Sequence, residues 1–355
     1  MTGKLKGVLS DARPFSLSRL FMLDARTFEA WLPRVMRTGL SHLQVIACVL
    51  TTFGSFCASA DAPGRATDDA TQPSELSCAT LHTSSSGEPF TVKIHLGEVP
   101  ALVRVPARIN KPPILLWHGF GPPSSSEALM EALPLDEVSA LKVYLTLPLF
   151  GERAPEGGME EIARRQTQDY GLLLFEPAVI GAARELAGIV EDLEHRKCLH
   201  PGEGIGLLGF SAGGAAVFFA LAQRAVPVSA AVTLNAPIGL SASIEALERA
   251  TKRTYEWTPR SRDLAKMTDA VLRAHDIAAG DPPVALLLWH GAADRLIATR
   301  ETERLHQTLA PLYSAAGHPE RLQLTLAAEA AHNFTDPQVL GDVRRSVASW
   351  FDAHL

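Results

Sequence analysis

Residues 204–222, GIGLLGFSAGGAAVFFALA, set a single serine between two apolar runs. Residues 205–208 read as a buried strand and 215–222 as a helix, so Gly209-Phe210-Ser211-Ala212-Gly213-Gly214 must turn very tightly between them. The G-x-S-x-G spacing is what a strand–turn–helix elbow requires. The serine sits on strained backbone at the crest, and a larger neighbour would strike the helix or the adjoining strand. The plainer reading is a glycine-rich turn that contains a serine, and the rest of the chain decides between the two. A serine alcohol is a poor nucleophile. It needs a base within hydrogen-bond reach, and the base needs an orienting carboxylate.

Both partners follow in the order such an elbow calls for, acid and then histidine. The apolar run VALLLWHG leads into AADRLIA and places Asp294 just past its end; the next run leads through LAAEAAHNF to His332. Ser211, Asp294 and His332 therefore all project from the carboxyl ends of strands. The oxyanion formed in acyl transfer needs two donors. The N–H of Ala212, directly after the serine, is one candidate, and the N–H of Phe120 within His118-Gly119-Phe120-Gly121 is the other. His290, four residues before Asp294, reads as a brace for the acid loop rather than the base. His118 reads as structural, and Asp336 as a helix N-cap. Arg153 reads as a surface salt bridge in preference to a substrate contact. No C-x-x-C or histidine-rich spacing is present, so neither a metal nor a cofactor is called for.

These residues need rigid elements to hold them. Strand-like runs occupy residues 90–96, 101–105, 112–119, 141–149, 205–210, 228–235, 284–291 and 321–329, with helical patterns at 125–135, 177–196, 212–225, 299–314 and 338–354. Continuous apolar strands alternating with helices predict an α/β fold, a mostly parallel sheet covered on both faces. The first two strands have no helix between them and are expected to form an antiparallel edge. Residues 151–176 and 238–282 interrupt the alternation after strand ends. Ligands bind open α/β sheets at that end, so the segments read as lid or cap elements over a site, against the alternative of ordinary solvated helices.

The stretches HGFG, GFSAGG, HGAAD and AAHNF together resemble the α/β-hydrolases over about residues 85–355. The resemblance is to the serine hydrolases grouped with prolyl oligopeptidase catalytic domains, dienelactone hydrolases and acetyl esterases. HGAAD is similar to the HG-x-x-D element that carries the acid in that group. Carried over by position, the resemblance implies a triad of Ser211, Asp294 and His332 and an oxyanion loop around Gly119 and Phe120. Two departures stand out. The chain has no room for the β-propeller that gates oligopeptidases, and LFGERAPEGG is only loosely like the Gly-x-x-Arg loops of some esterases. The reading is hydrolysis of a carboxylic ester in a small-molecule substrate through an acyl-enzyme. A peptidase acting on short peptides or amides is the first alternative, and a non-catalytic binding protein of this fold the second.

Composition limits the rest. The 355 residues carry 33 basic and 39 acidic side chains, a net charge of −6, which offers no basic footprint for nucleic acid. From Met36 the chain reads Arg37, an apolar run over residues 43–53 and Ala58-Ser59-Ala60, the layout of a cleavable signal peptide. That run is short of the roughly 20 residues of a membrane span. Residues 1–60 are expected to be an extension and leader, 61–84 a polar linker, and 85–355 the hydrolase domain. Cleavage would make the protein periplasmic or secreted; an uncleaved leader, favoured by the 35 residues ahead of Met36, would leave it cytoplasmic. Cleavage would also remove Cys48 and Cys57. Cys78 and Cys198 would remain, either as one disulfide or as two buried thiols.

Overall fold

The computed structural model describes residues 77–78 and 87–355, so the leader and linker expectations lie outside the described residues. Eight strands form one sheet: β1 (Phe90–Leu96), β2 (Val99–Val105), β3 (Ile114–Trp117), β4 (Lys142–Leu145), β5 (Ile205–Phe210), β6 (Val228–Leu234), β7 (Ala285–Gly291) and β8 (Leu322–Ala327). Their order is β1-β2-β4-β3-β5-β6-β7-β8. β1 pairs antiparallel with β2 and β2 with β4, and every later pairing is parallel. The antiparallel edge and the parallel body are both as the alternation of elements predicts.

The parallel strands β3 to β7 are largely buried on both faces because each face has its own core, whereas the edge strand β8 is partly exposed. Along β5 and β7, Leu207, Leu286 and Leu288 pack into one core, and Leu208, Phe210, Leu287 and Trp289 into the other. The period of two along a strand forces this division. Helices α1 (Ser126–Ala132), α2 (Gly158–Asp169), α3 (Gly181–His195), α4 (Ala212–Gln223), α5 (Leu240–Thr251), α6 (Pro259–Thr268), α7 (Ala274–Ile277), α8 (Thr299–Ala315) and α9 (Pro337–His354) supply the covers. On the second face α9 contributes Val343, Val347, Trp350 and Phe351. Asp336 caps that helix as expected: its carboxylate accepts from Gln338 N (2.8 Å) and Val339 N (3.0 Å), with Pro337 in the first turn.

The boundary of α3 differs from expectation. The apolar pattern predicts a helix from residue 177, but Pro177 lies inside a π-helical run, Tyr170–Ile180, and α3 starts at Gly181. Local rules make proline a helix start. Here Leu174, Phe175, Val179 and Ile180 are all buried in the core, and packing carries the helical path through the proline. Helices α5, α6 and α7 fill the segment between β6 and β7, and α2 with the π run fills the one after β4. The two segments interlock. Tyr255 Oη donates to Asp169 Oδ1 (2.6 Å), and Arg260 pairs with Glu176 (2.9 Å). Cys78 and Cys198 form a disulfide, with Cα atoms 4.9 Å apart. It joins Cys78 to the segment between α3 and β5, a region that reaches the β1–β2 turn through Gly97 N to Asp192 (2.9 Å) and Arg196 to His95 O (3.2 Å).

Candidate active site

Ser211 follows the last residue of β5 and precedes α4, at φ 52° and ψ −117°. An L-residue pays for that backbone in strain, and the surroundings must enforce it. They do so by close approach. A Cβ on Gly209 would stand 2.2 Å from Gly213 O, and one on Gly213 would stand 2.4 Å from Trp117 O. Neither position admits any side chain, so both glycines of the G-x-S-x-G pattern are sterically required. Ser211 N donates to Leu234 O (2.9 Å), which fixes the crest to the end of β6.

His332 Nε2 lies 3.1 Å from Ser211 Oγ, and His332 Nδ1 lies 2.7 Å from Asp294 Oδ2. Asp294 Oδ1 accepts from Leu296 N (2.7 Å) and Ile297 N (2.9 Å). The carboxylate is fully buried, whereas the His332 side chain keeps 11% of its exposure. Burial opposes ionisation of Asp294. Hydrogen bonds from His290 and His332, the His332 charge and the Ile297 N–H outweigh it and hold the carboxyl well below the usual carboxylate range. Nδ1 of His332 faces a carboxylate and so carries the hydrogen, which leaves Nε2 to accept from the Ser211 hydroxyl. The three residues that the sequence nominates at separate strand ends thus lie on one hydrogen-bonded line.

The loop after β3 lies directly over the serine. A Cβ on Gly119 would stand 3.0 Å from Ser211 Cβ and 3.0 Å from the Phe210 ring. The Gly119 N–H is committed to Pro123 O (3.1 Å), so the next donor along this loop is the Phe120 N–H. The Phe120 ring stacks on Phe150 (5.2 Å between centroids) and meets Tyr170 edge-on (6.4 Å), which anchors the loop to the segment after β4. Both ring nitrogens of His118 are engaged: Nδ1 donates to Gly119 O (2.8 Å), and Nε2 accepts from Leu147 N (3.2 Å). Burial lowers its pKa to about 4, so the ring is neutral and ties the β3 and β4 loops together. Arg153 makes the salt bridge read from the sequence. It pairs with Glu185 through both terminal nitrogens and donates to Thr146 O (2.9 Å).

Sequence reasoning missed one residue of this site. Asn235, the first residue past β6, is fully buried at φ 49°. Its Nδ2 donates to Ala331 O (3.1 Å) and His332 O (2.7 Å), and its Oδ1 accepts from Gly291 N (2.8 Å). One amide therefore joins the ends of β6 and β7 to the loop that carries His332. The available signal was a polar residue closing the apolar run VSAAVTL, and nothing local gave it meaning. Further lacing comes from Ala292 N to Ala327 O (2.8 Å) and Ala293 N to Ala330 O (3.0 Å), and from Phe210 packed on the His332 ring (5.3 Å). A cleft of about 330 Å³ lies between α5 and α8, walled by Ile238, Ser241, Glu245, Asp269, Glu301 and Arg304; it contains none of the three aligned residues. Among the described residues no group of three or more His, Cys, Asp or Glu side chains is placed to hold a metal. Nor is any helix among them long and apolar enough to cross a membrane.

Comparison with known proteins agrees with this architecture. The prolyl oligopeptidase family profile matches residues 184–355, which include Ser211, Asp294 and His332. The fold is similar to that of TT1662 from Thermus thermophilus (21% identity, TM-score 0.54, covering 75% of this chain and 100% of that one). It is also similar to an esterase from Pyrococcus furiosus (14%, TM-score 0.51, 76% and 93%). An acylaminoacyl peptidase from Pyrococcus horikoshii is a third such structure (17%, TM-score 0.53, 78% of this chain and 43% of that one). No curated protein matches the sequence. The structural likenesses carry the fold, and the family match supports hydrolase chemistry of the serine class.

Proposed function

We propose that this chain, an α/β-hydrolase resembling the prolyl oligopeptidase group, hydrolyses carboxylic esters of small molecules with Ser211 as nucleophile. The observation that carries the reading is the unbroken line Ser211–His332–Asp294, with 3.1 Å and 2.7 Å contacts beneath the Gly119 loop. His332 takes the hydroxyl proton as Ser211 Oγ attacks the ester carbonyl. Asp294 holds the Nδ1–H tautomer and stabilises the imidazolium. The N–H groups of Ala212 and Phe120 receive the oxyanion, and His332 returns the proton to the departing alcohol. Water then enters, gives its proton to the same imidazole and releases the acid.

Esters are favoured over amides because alcohols leave more readily than amines, and no charged pocket for a peptide side chain is evident in the sequence. The family match favours one rival, a peptidase acting on short peptides. Turnover of p-nitrophenyl esters of graded acyl length beside aminoacyl p-nitroanilides separates the two. The ester reading requires kcat/KM on the best ester to exceed that on every anilide, and the reverse order establishes the peptidase. A binding protein without catalysis would have no use for a base aligned on a strained serine. Export is part of the same proposal. The disulfide between Cys78 and Cys198 suits an oxidising compartment, and sequencing the amino end of the accumulated protein tests for a chain beginning at Asp61.

A further inference from the structure

His290 closes β7 immediately before the acid loop and is fully buried. Its Nε2 faces two oxygens, Asp294 Oδ2 at 3.3 Å and the Ile297 carbonyl at 3.2 Å. Neither oxygen can donate, so Nε2 carries a hydrogen. On its other side Nδ1 lies 2.8 Å from Oγ1 of Thr302, a buried hydroxyl in the first turns of α8. That hydroxyl can donate to an unprotonated Nδ1. Asp294 Oδ2 is thus shared between two imidazole N–H groups, His332 at 2.7 Å and His290 at 3.3 Å.

We propose that His290 is a positioning residue for the reaction: Thr302 holds it in the Nε2–H tautomer, and its hydrogen bond draws part of the Asp294 charge away from His332. The proposal rests on the triad reading above. It makes the basicity of the catalytic imidazole depend on a residue that never meets substrate. The sign follows from electrostatics. With the His290 donor removed, Asp294 Oδ2 serves His332 alone and stabilises its imidazolium more strongly.

Few other charged groups face this line. Arg249 of α5 reaches the acid loop at Leu296 O (2.9 Å) and is paired with Glu245 (2.7 Å). Glu301, beside Thr302, is paired with Arg304 (3.0 Å). Arg295 adjoins Asp294 in the chain, and His118 on the serine side has both nitrogens committed to Gly119 and Leu147. None of these makes a hydrogen bond to Asp294 Oδ2, so the His290 donor is the group to vary.

The test is the pH profile of kcat/KM for the purified chain on its best ester. His290→Leu is expected to move the acid limb upward by roughly 0.5–1 pH unit. Thr302→Val, which keeps the shape and removes only the hydroxyl, is expected to move it the same way by less. His290→Gln returns an N–H at similar reach and is expected to bring the limb back toward wild type. If His290→Leu and Thr302→Val lower kcat with the acid limb unmoved, the residue is a structural brace and the proposal is overturned. Should His290→Leu fail to fold, the limb of Thr302→Val alone decides. Failure of the triad reading looks different: Ser211→Ala would then retain activity whatever the His290 variants do.

Discussion

Replacing Asn235 tests whether the fold holds His332 through one buried amide. The side chain makes three hydrogen bonds, at 3.1, 2.7 and 2.8 Å, and is fully buried. In Asn235→Ala the Gly291 N–H and the carbonyls of Ala331 and His332 lose their partner. Each buried group left unpaired costs about 1–3 kcal/mol, although water entering the vacated space relieves the carbonyls in part. The backbone adds to this, because alanine tolerates φ 49° less well than asparagine, by roughly 1 kcal/mol. Together the loss is about 3–5 kcal/mol, or a melting temperature lower by about 10 °C for a domain of this size. The catalytic effect is separate. A displacement of about 1 Å in the His332 loop is worth on the order of 100-fold in kcat. Thermal unfolding and ester turnover at 25 °C measure both. Asn235→Gly serves as the control, since it accepts the positive φ but restores none of the hydrogen bonds. Should Asn235→Gly hydrolyse at the wild-type rate, the backbone conformation and not the amide matters, and the reasoning is wrong.

Three further predictions concern the loops and the disulfide. Gly119→Val would drive a side chain into Ser211 and Phe210, already 3.0 Å from the first added carbon, and is expected to lower kcat at least about 100-fold in a chain that still folds; unchanged kinetics would place the oxyanion donors elsewhere. His118 titrates near 4 when folded and near 6.5 when free, so the unfolded chain binds the proton first. The stability it confers is therefore full above about pH 6.5 and is lost as pH falls toward 4, in total about 3 kcal/mol. Urea unfolding at pH 7 and 4.5 is expected to show a smaller fall for His118→Asn than for wild type, and parallel falls would contradict the assignment. Reducing the Cys78–Cys198 disulfide, which closes a 120-residue separation, is expected to cost about 2–4 kcal/mol of stability without changing kcat at 25 °C, because the segment it ties is bonded to the β1–β2 turn, apart from the line Ser211–His332–Asp294. A reduced protein with an altered kcat would show coupling between the disulfide and that line.

The strands were legible because their burial is local in origin. Runs such as Ile205–Phe210 and Ala285–Gly291 are buried throughout and, His290 apart, apolar, as suits strands covered on both faces. Ser211, Asp294 and His332 were legible for a related reason: Ser211 directly follows β5, Asp294 lies three residues past β7 and His332 five past β8, and parallel strands bring their carboxyl ends together. Asn235 was not, because its partners lie 56, 96 and 97 residues away and exist only once β6, β7 and β8 have aligned. The π-helical run through Pro177 was hidden because tertiary packing overrides the local preference of proline. The pairing of Cys78 with Cys198 is likewise a statement about proximity, which no spacing in the sequence encodes.

The measurement that bears most directly on the central claim is covalent labelling of the purified chain with a fluorophosphonate, read by intact mass and peptide mapping beside ester turnover. The account predicts one label per chain on Ser211, loss of turnover in step with labelling, and no labelling of Ser211→Ala. It also predicts that kcat of Ser211→Ala falls by roughly 10⁴–10⁶ while its thermal unfolding stays close to wild type. A folded Ser211→Ala protein that hydrolyses esters at near the wild-type rate, or a label that maps to another residue, would contradict it.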